Sequence, residues 1–528
     1  MQVPASDCDY PSGPRWWLAL LACVVVVMGA KLSLIWLYGS SVPYWDQWNA
    51  EGALLYKPYL EGHVPLANLI ALHNEHRVLM TRLLDLLLLE ASGRWDPILQ
   101  MCVNAAIHTA CGVVVIVLLR RMVSASATIA LTAFVALLLA VPFGWENTLA
   151  GFQSSFYLAL LFSVLSLWLL ATAEAFDVRW FFGALFSLIA FFSVGAGACT
   201  PIVAGVMVAA QAAVGRRRGW REWAGIGVLF VFGAVLLALV PSLPQHASLK
   251  AQSLLQFLEA LQSVASWPLP PSPITPLLLY APLIWLTVRV LMEKRPISDP
   301  AWLCIGIGGW VAMQGLSLAY GRAQGVGASR YLDMTSVGLM ANFVAIAALL
   351  RDRALTLPRR APGLGFAAAW LVIVALGLGH IALTVVPTDV ITRGQQGKMQ
   401  ADNVRQFLGT GDFSALANKP FLQVPYPDAE RLRQFLMTIE IRGILPEDIL
   451  DEPATHAAMR ARLSSSGMFA GAFWTLRTWA PFLGPYIAFA GIALYFLAGL
   501  SGPLVAAPRL REEEAASPMS PDAAPLAP

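Results

Sequence analysis

Trp16–Tyr38 reads WWLALLACVVVVMGAKLSLIWLY, an apolar run broken by a single lysine. About 20 such residues cross the hydrocarbon core of a bilayer. A secretory leader has a shorter apolar core of roughly 7–15 residues, and no small-residue cleavage site follows this run. It therefore reads as a retained first transmembrane helix. The composition agrees: of 528 residues 57% are hydrophobic and 13% charged, where a soluble protein averages about 25% charged. Mean hydropathy is +0.64. The expected fold class is an all-α polytopic membrane protein with about twelve spans, at 16–38, 98–119, 127–142, 156–173, 180–198, 201–214, 224–241, 274–292, 301–320, 334–350, 364–386 and 483–500. Residues 468–481 form a further re-entrant or interfacial candidate. The net charge of +3 is small and implies no nucleic-acid partner.

The basic residues set an orientation. Arg120 and Arg121, Arg179, Arg216 to Arg218 with Arg221, Lys294 and Arg295, Arg351, Arg353, Arg359 and Arg360, and Arg509 and Arg511 mark every second connection. By the positive-inside rule these connections and both termini are cytoplasmic. The loops 39–96, 143–153, 242–272, 321–333 and 387–467 then face outward. The expected organisation is a transmembrane module over 1–386, an outward-facing, mostly helical soluble region over 387–467, the last membrane segment over 468–500, and a disordered cytoplasmic tail over 501–528, rich in Ala and Pro. All cysteines but Cys8 lie in or at the end of apolar segments without CxxC spacing, which suits packing rather than disulfides or zinc. The chain has no P-loop, no GxGxxG after a strand and no HExxH, so a built-in ATPase is excluded.

The outward loops collect the polar residues that an oily chain has little reason to keep unless they bind something or do chemistry. Residues 40–49 read SSVPYWDQWN. Asp46, between Trp45 and Trp48, reads either as a general base whose pKa rises through partial desolvation or as a solvated carboxylate in an interfacial aromatic belt. Residues 73–77 read HNEHR. On a helix His73, His76 and Arg77 share a face suited to a phosphate, while Glu75 points elsewhere, toward Arg82. A divalent metal on the His pair is a weaker alternative. The helix expected over 77–90 would lie in the interface plane. Trp145 and Glu146, with Gln153, sit at an outer helix end. Arg322 and Arg330 lie on the outside against the positive-inside trend, and Tyr331 follows; a lipid phosphate at headgroup depth would explain them. Lys250, Arg393 and Lys398 read as solvated cations, and His108 and His380 as packed residues within spans.

A carboxylate in the first outer loop, amphipathic helices beside it, many spans and a late outer arginine together resemble the GT-C superfamily of membrane glycosyltransferases. YWDQWN, HNEHR, WENTLAGFQ and ASRYLD carry the resemblance over roughly the first 390 residues. It implies a polyprenyl-phosphate sugar as donor, a glycan, lipid or protein as acceptor, and contact with membrane lipids. It implies no cofactor, and it places the protein in the bacterial inner membrane with its site on the outer face. Asp46 would serve as catalytic base, with Glu75 as a second catalytic carboxylate and Glu146 as a rival. The paired acidic motif common in that superfamily is absent, because Gln47 follows Asp46. His73, His76, Arg77, Arg322 and Arg330 would hold the donor phosphate, and Trp45, Trp48, Glu146, Gln153 and Tyr331 would line the cavity. The rival expectations are a lipid-linked saccharide flippase, which needs charged residues deep in several spans, and a polysaccharide polymerase or ligase.

Overall fold

The structure is a computed structural model that describes residues 14–356, 361–465 and 467–500. The expected tail 501–528, Cys8 and the basic residues Arg359, Arg360, Arg509 and Arg511 lie outside the described residues. Among the described residues the chain is helical without a β-strand. Eleven helical segments are long and apolar enough to cross a membrane, so the chain is an all-α, multi-pass membrane protein. The longer helices are α1 (Pro14–Tyr38), α2 (Leu79–Ser92), α3 (Pro97–Leu119), α4 (Ala125–Ala140), α5 (Ser154–Thr172), α6 (Val178–Phe191), α7 (Cys199–Ala213), α8 (Trp220–Ala238), α9 (Leu254–Ser266), α10 (Thr275–Met292), α11 (Ala301–Gly321), α12 (Ser329–Thr356), α13 (Ala361–Val385), α14 (Ile391–Thr410), α15 (Ala429–Met437), α16 (Pro453–Arg460) and α17 (Ala470–Leu500).

The span expected at 180–198 is the one that falls short. Its helix, α6, has 14 residues, about 21 Å at 1.5 Å per residue. The chain then breaks at Phe192–Val194 and restarts as a 3-10 turn over Gly195–Ala198. The expected re-entrant segment at 468–481 instead belongs mostly to α17, one helix of 31 residues. The boundary expected at 386 does not interrupt the backbone either. α13 passes through a π-helical turn, Val386–Val390, directly into α14. The continuous helix Gly363–Thr410 is 48 residues long.

Helices α1 and α17 are in backbone contact. A Cβ on Gly29 would lie 2.2 Å from the Ala488 nitrogen, and one on Gly484 2.4 Å from the Ser33 nitrogen. Small residues allow this approach, which gives van der Waals packing where lipid supplies no hydrophobic drive. At one end of the bundle Arg217, buried, donates to the carbonyls of Leu170, Ala171 and Ala173 and pairs with Glu222. It thereby satisfies the orphan carbonyls at the end of α5.

At the other end, the loop 39–96 and the segment from α14 to 463 share one hydrophobic core. Trp48, Leu55, Tyr56 and Trp95 pack there with Val404, Phe407, Leu432 and Ile444. Trp48 and Trp95 meet edge to face at 5.2 Å. Helix α2 is amphipathic, with its charges turned inward. Arg82 and Asp85 are buried, while Leu83 and Leu87 are exposed, a pattern that suits a helix set against lipid.

Gly29→Leu should force α1 away from α17 and cost about 1–3 kcal/mol. The check is a lowered Tm in detergent, with Gly227→Leu, whose Cβ meets nothing within 4 Å, leaving Tm unchanged.

Candidate functional site

The HNEHR segment is not helical. His73 and His76 exchange backbone hydrogen bonds of 2.8 and 3.0 Å across a two-residue turn, with Asn74 at φ 51°. Asn tolerates this left-handed conformation where most residues do not. The expected shared face of His73, His76 and Arg77 is therefore absent, and the turn sends successive side chains apart. His73 Nε2 lies 3.2 Å from Asp46 Oδ2. Glu75 receives Arg322 on both oxygens, at 3.2 and 2.7 Å, and His246 Nδ1 at 2.5 Å. His76 Nδ1 accepts the Gly195 N–H at 3.3 Å. Arg77 leaves the group and donates to the Ile70 carbonyl. The expected partner of Glu75, Arg82, is buried and donates to the carbonyls of Leu69 and Ala71.

Glu146 and Arg330 form the second half. The Glu146 carboxylate accepts from Ser329 Oγ at 2.9 Å, from the Arg330 N–H at 3.1 Å and from the Arg330 guanidinium at 3.2 Å. The guanidinium carbon of Arg330 sits 5.2 Å from the Tyr331 ring, and Tyr331 also stands against Arg322. The Arg330 charge reaches Asp46. The expectation of a raised pKa at Asp46 is reversed. Burial pulls its carboxyl up, but the hydrogen bond and charge of His73, with Arg330 beyond, hold it below the ordinary value. Burial likewise opposes the lowering of Glu75, where Arg322 and His246 win and hold it near about 2. His76 moves the other way: burial outweighs the Glu75 charge and lowers it to about 4, so it is a neutral imidazole.

A cavity of about 340 Å³ adjoins these groups. Its polar lining includes Glu75, His76, Lys250 and Arg322, from the loops and one helix end, with Tyr331 from the first turn of α12. Phe156, Cys199, Leu237 and Met334 contribute apolar walls from the spans. Lys250 is thus not merely solvated: it lines the cavity and donates to Ser242 Oγ at 2.8 Å. Arg393 is buried, with its guanidinium 3.9 Å from the Tyr44 ring. Trp48, expected to line a cavity, is fully buried in the core shared by the loop 39–96 and the segment after α14, and its Nε1 donates to the Pro43 carbonyl. Trp45 packs on Phe421, and Gln153 closes a 3-10 turn at the start of α5. Among the described residues no cluster of three or more His, Cys, Asp or Glu could hold a metal.

Three features escaped sequence reasoning. His246 lies in a loop, PSLPQHASLK, that carries no signal. Lys31 and Asp333 are buried within the bundle together with His108, which stacks on Tyr157 at 4.2 Å. The third is a buried carboxylate pair beneath Asp46. Glu51 accepts from Gln47 at 3.2 Å, from Gln100 at 2.9 Å and from Trp95 at 2.6 Å, and Gln100 also donates to Asp85. Gln47 in turn accepts the Tyr44 N–H at 3.0 Å, which pins the loop that carries Asp46. Burial raises Glu51 to about 7, and burial plus the Glu51 charge raises Asp85.

Glu51 holds its proton in the folded chain up to about 7, while the unfolded chain releases it near 4.5. The unfolded state binds fewer protons in that window, so this group's contribution to stability falls as pH rises through it. The Tm difference between Glu51→Gln and the unaltered protein should therefore move in favour of the variant from pH 5 to pH 8; thermal melts across that range check it. No family model, no curated protein and no solved structure matches this chain.

Proposed function

We propose that the protein is an integral membrane glycosyltransferase of the GT-C kind. It would move a sugar from a polyprenyl-phosphate donor to a glycan, lipid or protein acceptor of the cell envelope, on the outer face of a bacterial inner membrane. One observation carries the reading: an apolar cavity among the spans has cations in its polar lining, with a carboxylate–histidine pair close by. An amphiphile whose phosphate separates a hydrocarbon chain from a polar group fits that order of surfaces.

In this reading the polyprenyl chain occupies the apolar walls and its phosphate meets Arg322 and Lys250, with Arg330 across Tyr331. Asp46, ionised and half-exposed, orients the acceptor hydroxyl and receives its proton. The acceptor oxygen bonds to the anomeric carbon as the bond from that carbon to the phosphate oxygen breaks. Positive charge grows on the sugar ring, as in glycoside hydrolysis. The electron pair leaves with the phosphate, and the arginines stabilise it where the charge develops. His73 keeps the Asp46 carboxylate in one orientation. Glu75 takes a different part from the catalytic one first expected: it holds Arg322 and His246 in place.

The flippase reading draws on the buried Lys31, Asp333 and His108, and predicts movement of lipid-linked sugar without a new glycosidic bond. Asp46→Asn should reduce sugar transfer by about 10²–10⁴-fold with unchanged Tm, measured by release of polyprenyl phosphate from a labelled lipid-linked sugar. Full transfer by this variant would sink the assignment of Asp46. Arg330→Ala should raise the donor KM more than it lowers kcat; an unchanged KM removes Arg330 from the site.

A further inference from the structure

A second cavity is lined by Gly144 and Thr148, which flank the segment whose Glu146 meets Arg330. It measures about 260 Å³ and is walled by α1, the end of α4 and the π-helical turn, through Leu34, Leu37, Leu139, Val141, Pro142 and Val386. Lys31 is the one charged residue among those lining it. It sits seven residues before Tyr38, roughly 10 Å below the end of α1.

Lys31 is 6% exposed, yet its ammonium is poorly partnered. Its hydrogen bond to Thr148 Oγ1 is long, at 3.3 Å, and the Tyr157 ring is 5.8 Å away. Among the described residues no carboxylate forms an ion pair with it. Asp333 acts on it only through its charge and lies beyond ion-pair distance; its Oδ2 accepts from Asn147 Nδ2 at 2.8 Å and Tyr157 OH at 3.2 Å. An ammonium at membrane depth is costly without a directly paired anion, and this one lines the cleft. Leu37, on the cleft wall, and the neighbouring Trp36 are more than half exposed, so this side of α1 faces the lipid.

We propose that this cleft binds a phosphate-bearing membrane lipid, with the head-group phosphate on Lys31 and the first part of the acyl chain along Leu34, Leu139 and Val386. The site is separate from the Arg322 cavity and does not rest on sugar transfer. Phosphate supplies acceptor oxygens for the two ammonium protons that Thr148 leaves free, and the chain replaces solvent against the apolar wall.

Native mass spectrometry of the full chain with dioleoyl phosphatidic acid tests this. Dioleoylglycerol serves as the phosphate-free control and inorganic phosphate as the competitor. Two variants separate charge from shape. Lys31→Met removes the ammonium; Ala140→Phe fills the cleft and leaves the ammonium present. Each should reduce retention of one phosphatidic acid by about fivefold or more, Lys31→Arg should retain it, and dioleoylglycerol should not be held. Arg322→Ala should not reproduce the loss. Unchanged retention in either Lys31→Met or Ala140→Phe overturns the proposal. Reproduction of the loss by Arg322→Ala, equal retention of dioleoylglycerol, or full displacement by inorganic phosphate overturns it as well.

Discussion

The structure depends on one close approach, that of α1 to α17 through Gly29 and Gly484. The loop 39–96 leaves from the end of α1, and the polar region after α14 returns to the membrane at the start of α17. Holding those two helices backbone to backbone fixes the two ends of this extramembrane unit beside each other. Only then can Trp48 and Trp95, from the loop, share a core with Val404 and Ile444, from hundreds of residues later. That core seats the buried Glu51 and Gln100, and through Gln47 it seats Asp46. The ion pair of Arg477 with Asp96, 2.7 Å, closes the same junction with charge.

The site itself is built from opposed charges rather than from an excess of one sign. Arg322 lies on Glu75, Arg330 on Glu146, and His73 on Asp46. A buried charge left alone is costly, and pairing offsets that cost. The pairs therefore keep the pocket folded when empty. Under the proposed function an incoming phosphate would compete with Glu75 and Glu146 for guanidinium donors that are already oriented, so binding would exchange partners instead of ordering free side chains. Such exchange favours selectivity over raw affinity.

The spans were legible because 20 apolar residues in a row have few other uses. Asp46, Glu146 and Arg330 were legible as charges out of place. The rest needed tertiary information. FFSVGAGACTP stays apolar through the end of α6, so hydropathy alone ran the span past its break. The turn at 73–76 contains neither Gly nor Pro, and its left-handed residue is an asparagine. A helical spacing rule therefore placed Arg77 with His73 and missed the divergence. Arg322 and His246 reach Glu75 from 247 and 171 residues away, and no local pattern foretells such pairs. Lys31 was hidden inside the very run that announces the first span.

The helix Gly363–Thr410 is a rigid ruler. At 1.5 Å per residue its 48 residues measure roughly 72 Å, more than twice the hydrocarbon thickness. Its far part carries Arg393, which covers Tyr44 two residues before Asp46. A rod cannot shorten to suit a thinner bilayer; it tilts. Because α14 shares a core with the loop that bears Asp46, tilt of this rod carries Arg393 and that loop together. The orientation of the whole polar end of the bundle is thus tied to that of one long helix that enters the membrane.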